Sequence, residues 1–368
     1  MALISFARGV PAPECLPVGE LADCASAALG RDGARILSYG PGGGYEPLRE
    51  WIAARHGVEA ARVVLTNGSL QGFVFLAQHL LRGGRKRVLV EAPTYDRPLK
   101  ILAGLGAQIV ALPQDDEGLD VDAVERELAS GEQPAFVYTI PTFQNPSGRT
   151  LSLERRQRLA QLAERHDVLV LEDDPYSLVR YEGDALPSLF ELEGGHRVAY
   201  SSSFSKTIAP GVRVGYFVLP VDIARAVEAV AVSTYISPPF LTQATVHEFV
   251  RRGNFGPNLE RVRELLRARR DAMLSALDES LPEGARSSRP EGGYFVWVEL
   301  PDSISTDELL ERAAEVEVTF VSGSDFYPAG SGGGASALRL AFSYVSPAEI
   351  AEGVARLAPL LTRSAASV

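Results

Sequence analysis

Residues 135–176 read AFVYTIPTFQNPSGRTLSLERRQRLAQLAERHDVLVLEDDPY, and this stretch establishes the fold class. It opens on one apolar run, Ala135 to Ile140, and closes on another, Val168 to Glu172. Between them Leu159, Leu162 and Ala163 recur at helical spacing, and Ser152 stands where an N-cap hydroxyl belongs. A helix from Leu153 to His166 is therefore expected. Two continuous apolar strands joined by a helix make the unit of a parallel sheet covered on both faces.

The same texture extends to either side. Val63 to Thr66, Arg87 to Glu91 and Gln108 to Leu112 precede the stretch, and Val198 to Ser201 and Val214 to Leu219 follow it. The fold class is α/β, with a mostly parallel seven-stranded sheet and helices on both faces. After about residue 250 the texture changes. A long charged helix, roughly Asn258 to Leu277, leads to strand-like Tyr294 to Leu300. A helix, two short strands and a final helix from Pro347 to Leu361 complete an α+β lobe. The first 35 or so residues, rich in Pro and small side chains, read as a loop and one short helix. The expected division is an N-terminal segment, 1–35, belonging to the small domain; a large domain, 36–250; and a C-terminal small domain, 251–368.

Bulk properties narrow the function. A chain of 368 residues exceeds what one core usually supports, in keeping with two lobes. Its 46% hydrophobic content is too high for disorder. A net charge of -11 is a poor match to nucleic-acid phosphates. Two cysteines, Cys15 and Cys24, do not make a disulfide scaffold and suggest buried thiols in a reducing compartment. The five histidines lack metal-ligand spacing, so no metal is expected. No apolar run approaches the roughly 20 residues that span a bilayer, and MALISFARGVPAPE does not read as a signal peptide. A cytoplasmic protein without membrane contact is the expectation. Neither GxGxxG after the first strand nor GxxxxGK[ST] is present. Gly40, Gly42, Gly43 and Gly44 read as a turn needing positive φ, and Gly330 to Gly334 as a surface loop.

Two places could carry chemistry. Lys206 follows a predicted strand within SSSFSK, where a dry pocket would free its amine for Schiff-base formation. Ser203, Ser205 and Arg213 lie close by in sequence and offer what a phosphate needs. Asp173 ends the apolar run Val168 to Leu171, where open α/β sheets place ligands. Each also has an ordinary alternative, a solvated lysine or a helix-capping aspartate.

Taken together and in order, these segments resemble the fold-type-I, pyridoxal-phosphate-dependent class I/II aminotransferases over essentially the whole chain. YGPGGGYEPLRE (39–50), LTNGSLQG (65–72), EAPTYD (91–96), PTFQNPSG (141–148) and LRLAFSY (338–344) look like further motifs of that family. The resemblance implies a cofactor, pyridoxal 5'-phosphate, in Schiff-base linkage to Lys206, which then shuttles a proton. It implies that Asp173 pairs with the pyridine nitrogen, that Asn145 and Tyr176 bond the ring hydroxyl, and that Tyr95 stacks on the ring. Gly68, Ser69 and Leu70 would meet the phosphate with their helix N-terminus, completed by Ser203, Ser205 and Arg213. Tyr39 would reach the phosphate of a partner subunit, making a homodimer with shared sites. Arg339 would grip the substrate α-carboxylate. The substrates implied are an amino acid and a 2-oxo acid, with 2-oxoglutarate as acceptor.

SFARGVPAPE, LPSLFEL, SFSKTIAPGVRVGY and RPEGGYFVWVELP look most like the 2-aminoadipate aminotransferase branch. Here the first of these begins at Ser5, so most of the branch's N-terminal arm is missing and the donor stays open. Gly9 is expected on the substrate side. Arg8, where the branch has a small residue, is either a reader of a distal carboxylate or hydroxyl or a side chain pointing to solvent or to the dimer interface. On the same fold a lyase, racemase, decarboxylase or oxidase is an alternative. So is the ligand-sensing domain of a regulator, for which a DNA-binding domain would have to precede this stretch.

Overall fold

The computed structural model describes residues 2–361. In chain order its strands are β1 (Ile4–Ser5), β2 (Val63–Thr66), β3 (Arg87–Ala92), β4 (Gln108–Asp115), β5 (Gly118–Leu119), β6 (Phe136–Thr139) and β7 (Val170–Asp173). They continue with β8 (Val198–Ser203), β9 (Gly215–Val218), β10 (Arg286–Ser287), β11 (Phe295–Glu299), β12 (Val318–Thr319), β13 (Val321–Ser322) and β14 (Ala337–Ala341). The large sheet has the order β2-β9-β8-β7-β6-β3-β4-β5. β4, β3, β6, β7 and β8 run parallel to one another, and β9 runs against both of its neighbours.

Strand alternation gives the sheet a core on each face. Phe136, Tyr138, Leu171 and Phe217 point into one. Val137, Val170 and Val218 point into the other. The helix expected after Ser152 is present as Leu153–Arg165, with Ser152 Oγ accepting from Arg155 N at 3.4 Å.

Three expectations need correction. Among the described residues the sheet has eight strands, not seven, because the two-residue β5 pairs antiparallel with the end of β4. So short a strand leaves no periodic signal. The N-terminal helix is not short: it runs Val18–Ile36, with a kink at Asp32. It also does not join the small lobe. It packs on the helix Phe240–Arg251, where Arg31 Nη1 donates to Glu248 Oε2 at 2.6 Å. Its buried stripe of Cys24, Ala28 and Ile36 is too sparse to show as strong periodicity. The glycine turn at 40–44 is present and does use a positive φ, at Gly44, +101°, alone of its four glycines. Gly40 is required instead by close approach, since a Cβ there would stand 2.0 Å from the Phe240 ring.

The segment before that helix is hydrogen-bonded to strands near the other end of the chain. β1 pairs parallel with β12, and Ala341 N donates to Phe6 O at 2.7 Å. A four-stranded sheet has the order β10-β11-β14-β13. Among the described residues no helix is long and apolar enough to cross a membrane. Cys15 and Cys24 are free and buried.

Packing makes two helical glycines behave oppositely. Gly72 lies in the helix Ser69–Arg82, where a Cβ would meet the Phe217 ring at 2.1 Å; Gly30, in Val18–Ile36, has nothing within 4 Å. Gly72→Ala is expected to lower stability by about 1–3 kcal/mol through overpacking. Gly30→Ala is expected to raise it by about 0.5–1 kcal/mol through chain entropy and helix propensity. Urea midpoints of the two variants check the sign of each.

Candidate active site

The carboxyl ends of β3, β6, β7 and β8 lie side by side, which is where a parallel sheet opens to a ligand. The residues just beyond them, Tyr95, Asn145, Tyr176 and Lys206, border one cavity of about 460 Å³ together with Asp173. β11 and β14 of the small lobe close it with Phe295 and Arg339. A larger cleft of about 690 Å³ runs outside, past Arg149, Arg180 and Arg289. Those guanidiniums are already paired with Asp116, Glu291 and Asp278, so it offers no convergent free groups.

One end of the cavity suits an anion. Gly68, Ser69 and Leu70 begin the helix Ser69–Arg82, and Ser203, Ser205 and Arg213 face them. Arg213 holds a left-handed backbone conformation, φ 51° and ψ 44°, a strain that non-glycine residues tolerate where surroundings impose it. Its Nη2 donates to Asn67 O at 3.0 Å, and Ser203 Oγ donates to Ser205 Oγ at 2.8 Å. The cradle depends on an absent side chain that the sequence did not flag. A Cβ on Gly215 would stand 2.1 Å from Ser69 N.

In the middle, Asp173 opens onto the cavity but is enclosed by protein on its other sides. Tyr138 Oη donates to its Oδ2 at 2.9 Å and Ser201 Oγ to its Oδ1 at 3.2 Å. Burial pushes its carboxyl up to about 6, against the pull of these two donors. No lysine or arginine among the described residues pairs with it. A cation in the cavity would complete its environment. Lys206 Nζ donates to Gly9 O at 2.5 Å and lies 5.0 Å from the Tyr294 ring centre. Burial first, then the charges of Arg339 and Arg213, pull its amine down to about 8.

At the opposite wall Arg339 is only 7% exposed. Its Nη1 donates to Asn145 Oδ1 at 2.8 Å and its Nη2 to Ala7 O at 2.9 Å. Phe295 and Phe326 flank the guanidinium, 4.4 and 4.9 Å from their ring centres. Burial pulls it down to about 10, and its Nε is buried without a partner. Gly9 lines the cavity because a Cβ there would meet the Phe295 ring at 2.6 Å.

Arg8 and Tyr39 do not border this cavity in the single chain. Arg8 is stacked over Tyr344 at 5.7 Å. Tyr39 is 82% exposed on the surface of the single chain. Conversely Tyr138 and Ser201, which hold Asp173, and Arg97, on the cavity's rim, were not read from the sequence. Their roles depend on which strands are neighbours, and no local pattern encodes that.

An anion cradle, a buried carboxylate lacking a cation, and an amine of lowered pKa on one cavity fit pyridoxal phosphate: phosphate, ring nitrogen and aldehyde. Residues 17–357 match the profile of the family Aminotransferase class I and II. The chain belongs to that family. It is 40% identical to the 2-aminoadipate transaminase of Thermus thermophilus, over 96% of this chain and 89% of that one. The crystal structure of the Thermus thermophilus alpha-aminoadipate aminotransferase LysN, complexed with N-(5'-phosphopyridoxyl)-L-leucine, matches at a TM-score of 0.90. That match has 39% identity and covers 98% of this chain and 92% of the other. A multiple substrate aminotransferase from Thermococcus profundus matches at a TM-score of 0.92 and 34% identity, covering 98% and 91%. The aminotransferase therefore has the fold-type-I architecture and uses pyridoxal phosphate.

Burial of Lys206 has a measurable cost in the apoprotein. Its folded-state pKa is lowered from 10.5 to about 8, so between those values the unfolded chain holds a proton that the folded one has lost. Stability contributed at this site therefore rises with pH across that window. Lys206→Met apoprotein is expected to be the more stable at pH 7, with the gap narrowing as pH rises from about 8 towards 10.5. Paired denaturation midpoints at pH 7 and 10 check this, and a gap that does not narrow contradicts it.

Proposed function

We propose that the aminotransferase moves the amino group of an L-amino acid to 2-oxoglutarate in two half-reactions, with Lys206 as the cofactor-holding and proton-moving group. The observation that carries this is the presence of the Lys206 amine and the Asp173 carboxylate on one cavity, with Arg339 on its wall. When bound, pyridoxal phosphate supplies a conjugated sink for the electron pair left at the substrate Cα.

The chain's residues divide the work. Asp173 holds the ring nitrogen protonated, and Tyr138 and Ser201 fix its two oxygens. Asn145 and Tyr176 orient the ring hydroxyl, and Tyr95 covers a ring face. Backbone amides of Gly68, Ser69 and Leu70, with Ser203, Ser205 and Arg213, bind the phosphate. Arg339 offers its open donors to the substrate α-carboxylate as a planar fork, and Asn145 beside it steadies that fork. Lys206 Nζ, held where its neutral form is accessible near neutral pH, would hold the cofactor and serve as the base that moves the substrate Cα proton.

We also infer a homodimer in which the partner subunit's Tyr39 completes the phosphate site, supported here by the exposure of Tyr39 on a glycine-rich turn. A cytoplasmic location accords with two unpaired buried thiols.

Transfer, as against elimination or oxidation, is tested by adding an amino acid alone to the yellow holoenzyme. The cofactor's absorption should change and be restored by a 2-oxo acid; release of ammonia without a second substrate contradicts transfer. Lys206→Ala is expected to lose turnover by about 10²–10⁴-fold, the range for a positioned acid-base group. Full turnover in that variant removes Lys206 from the reaction.

Arg339→Lys keeps the charge but loses the fork, a change of about 1.5–3 kcal/mol where the bonds are to a charged group. We expect at least about a tenfold fall in kcat/KM for every amino donor. An unchanged value would assign the α-carboxylate to another residue.

A further inference from the structure

Three guanidiniums border the cavity, and the proposed reaction uses two of them. Arg213 faces the start of the helix Ser69–Arg82, and Arg339 is held between Phe295 and Phe326. The third, Arg97, stands on the rim beside Tyr95 and Asp96.

Local structure gives no reason for a cation there. Arg97 is the second residue of the helix Asp96–Gly104. The first turn of a helix favours negative charge and disfavours positive. The nearest carboxylate is already occupied. Lys100 Nζ lies 2.8 Å from Asp96 Oδ2, whereas Arg97 Nε lies 3.6 Å from the same oxygen. Among the described residues the Arg97 guanidinium donates no hydrogen bond, and its side chain is 60% exposed. With Nε turned to Asp96, an anion arriving in the cavity would find the two terminal nitrogens, Nη1 and Nη2, without a hydrogen-bond acceptor among the described residues. Arg8, the other arginine a substrate could have met, is outside and stacked on Tyr344.

We propose that Arg97 is a specificity-determining residue that binds the distal carboxylate of an acidic substrate. The inference rests on the proposed function, in which Arg339 holds the α-carboxylate. Two guanidiniums on one cavity then match the two carboxylates of a dicarboxylic amino acid or its 2-oxo acid. A guanidinium is suited to each because its planar fork meets a carboxylate through two parallel N–H bonds. Asp96, kept in place by Lys100, borders the same rim and repels an anion that misses the fork.

The test uses the holoenzyme and its Arg97→Ala variant. The substituted side chain makes no hydrogen bond, so the fold is kept. Calorimetric titration with glutarate, which carries two carboxylates and nothing to react, is compared with 4-methylpentanoate, which carries one. Glutarate is expected to bind about tenfold more weakly to the variant, and 4-methylpentanoate within about twofold of its wild-type affinity. In turnover, the ratio of kcat/KM for 2-oxoglutarate to that for 4-methyl-2-oxopentanoate is expected to fall about tenfold. Glutarate affinity that is unchanged, or that falls no more than 4-methylpentanoate affinity, overturns the inference. Binding is read without turnover, so the outcome for Arg97 does not depend on the reaction. Absence of transamination by the wild-type enzyme would instead count against the proposed function.

Discussion

A buried amine and a buried carboxylate share one cavity without touching each other, and much of the molecule serves to keep them there. Water would hold both charges more cheaply, and an unpaired ion inside a protein costs several kcal/mol. The fold meets that cost with placed dipoles: two hydroxyls on Asp173, a backbone carbonyl on Lys206. What remains uncompensated is a cation for the carboxylate and a carbonyl carbon for the amine. Under the proposed function pyridoxal phosphate would bring both, so that a site unfavourable to the bare chain would favour the cofactor.

Strand geometry decides which carboxylate takes part. Glu172, Asp173 and Asp174 are consecutive, yet alternate residues of a strand face opposite sides of the sheet. Asp173 opens onto the cavity. Glu172 points the other way and accepts from the backbone nitrogens of Leu189 and Phe190, at 3.1 and 2.9 Å. Asp174 accepts from Tyr200 Oη at 2.8 Å and Ser177 N at 2.9 Å, bracing the turn that carries Tyr176. One acid faces the cavity and its two neighbours hold the wall.

The strands were legible because both faces of the sheet are covered, so β3, β6 and β7 read as unbroken apolar runs. Lys206 and Asp173 stood out through the ordered family motifs around them, since each alone also reads as a solvated lysine or a helix-capping aspartate. The two-residue β5 carries no period, and the N-terminal helix buries mostly small side chains, so neither stood out. Tyr138 became a partner of Asp173 only because β6 lies next to β7, a neighbour relation 35 residues distant in the chain. That Arg97 borders the cavity while Arg8 stacks on Tyr344 likewise depends on chain folding that no local pattern encodes.

The segment that crosses there works through its carbonyl groups. Ala7, Gly9 and Val10 accept from Arg339, Lys206 and Ser343, at 2.9, 2.5 and 2.8 Å. Main-chain acceptors survive any exchange of side chain. Substituting these positions singly would leave all three contacts available, except at Gly9, where added bulk meets Phe295. Removing or inserting one residue would shift the whole row out of phase. The spacing of this stretch, more than its composition, is what ties the eight-stranded and four-stranded sheets to a common set of charges.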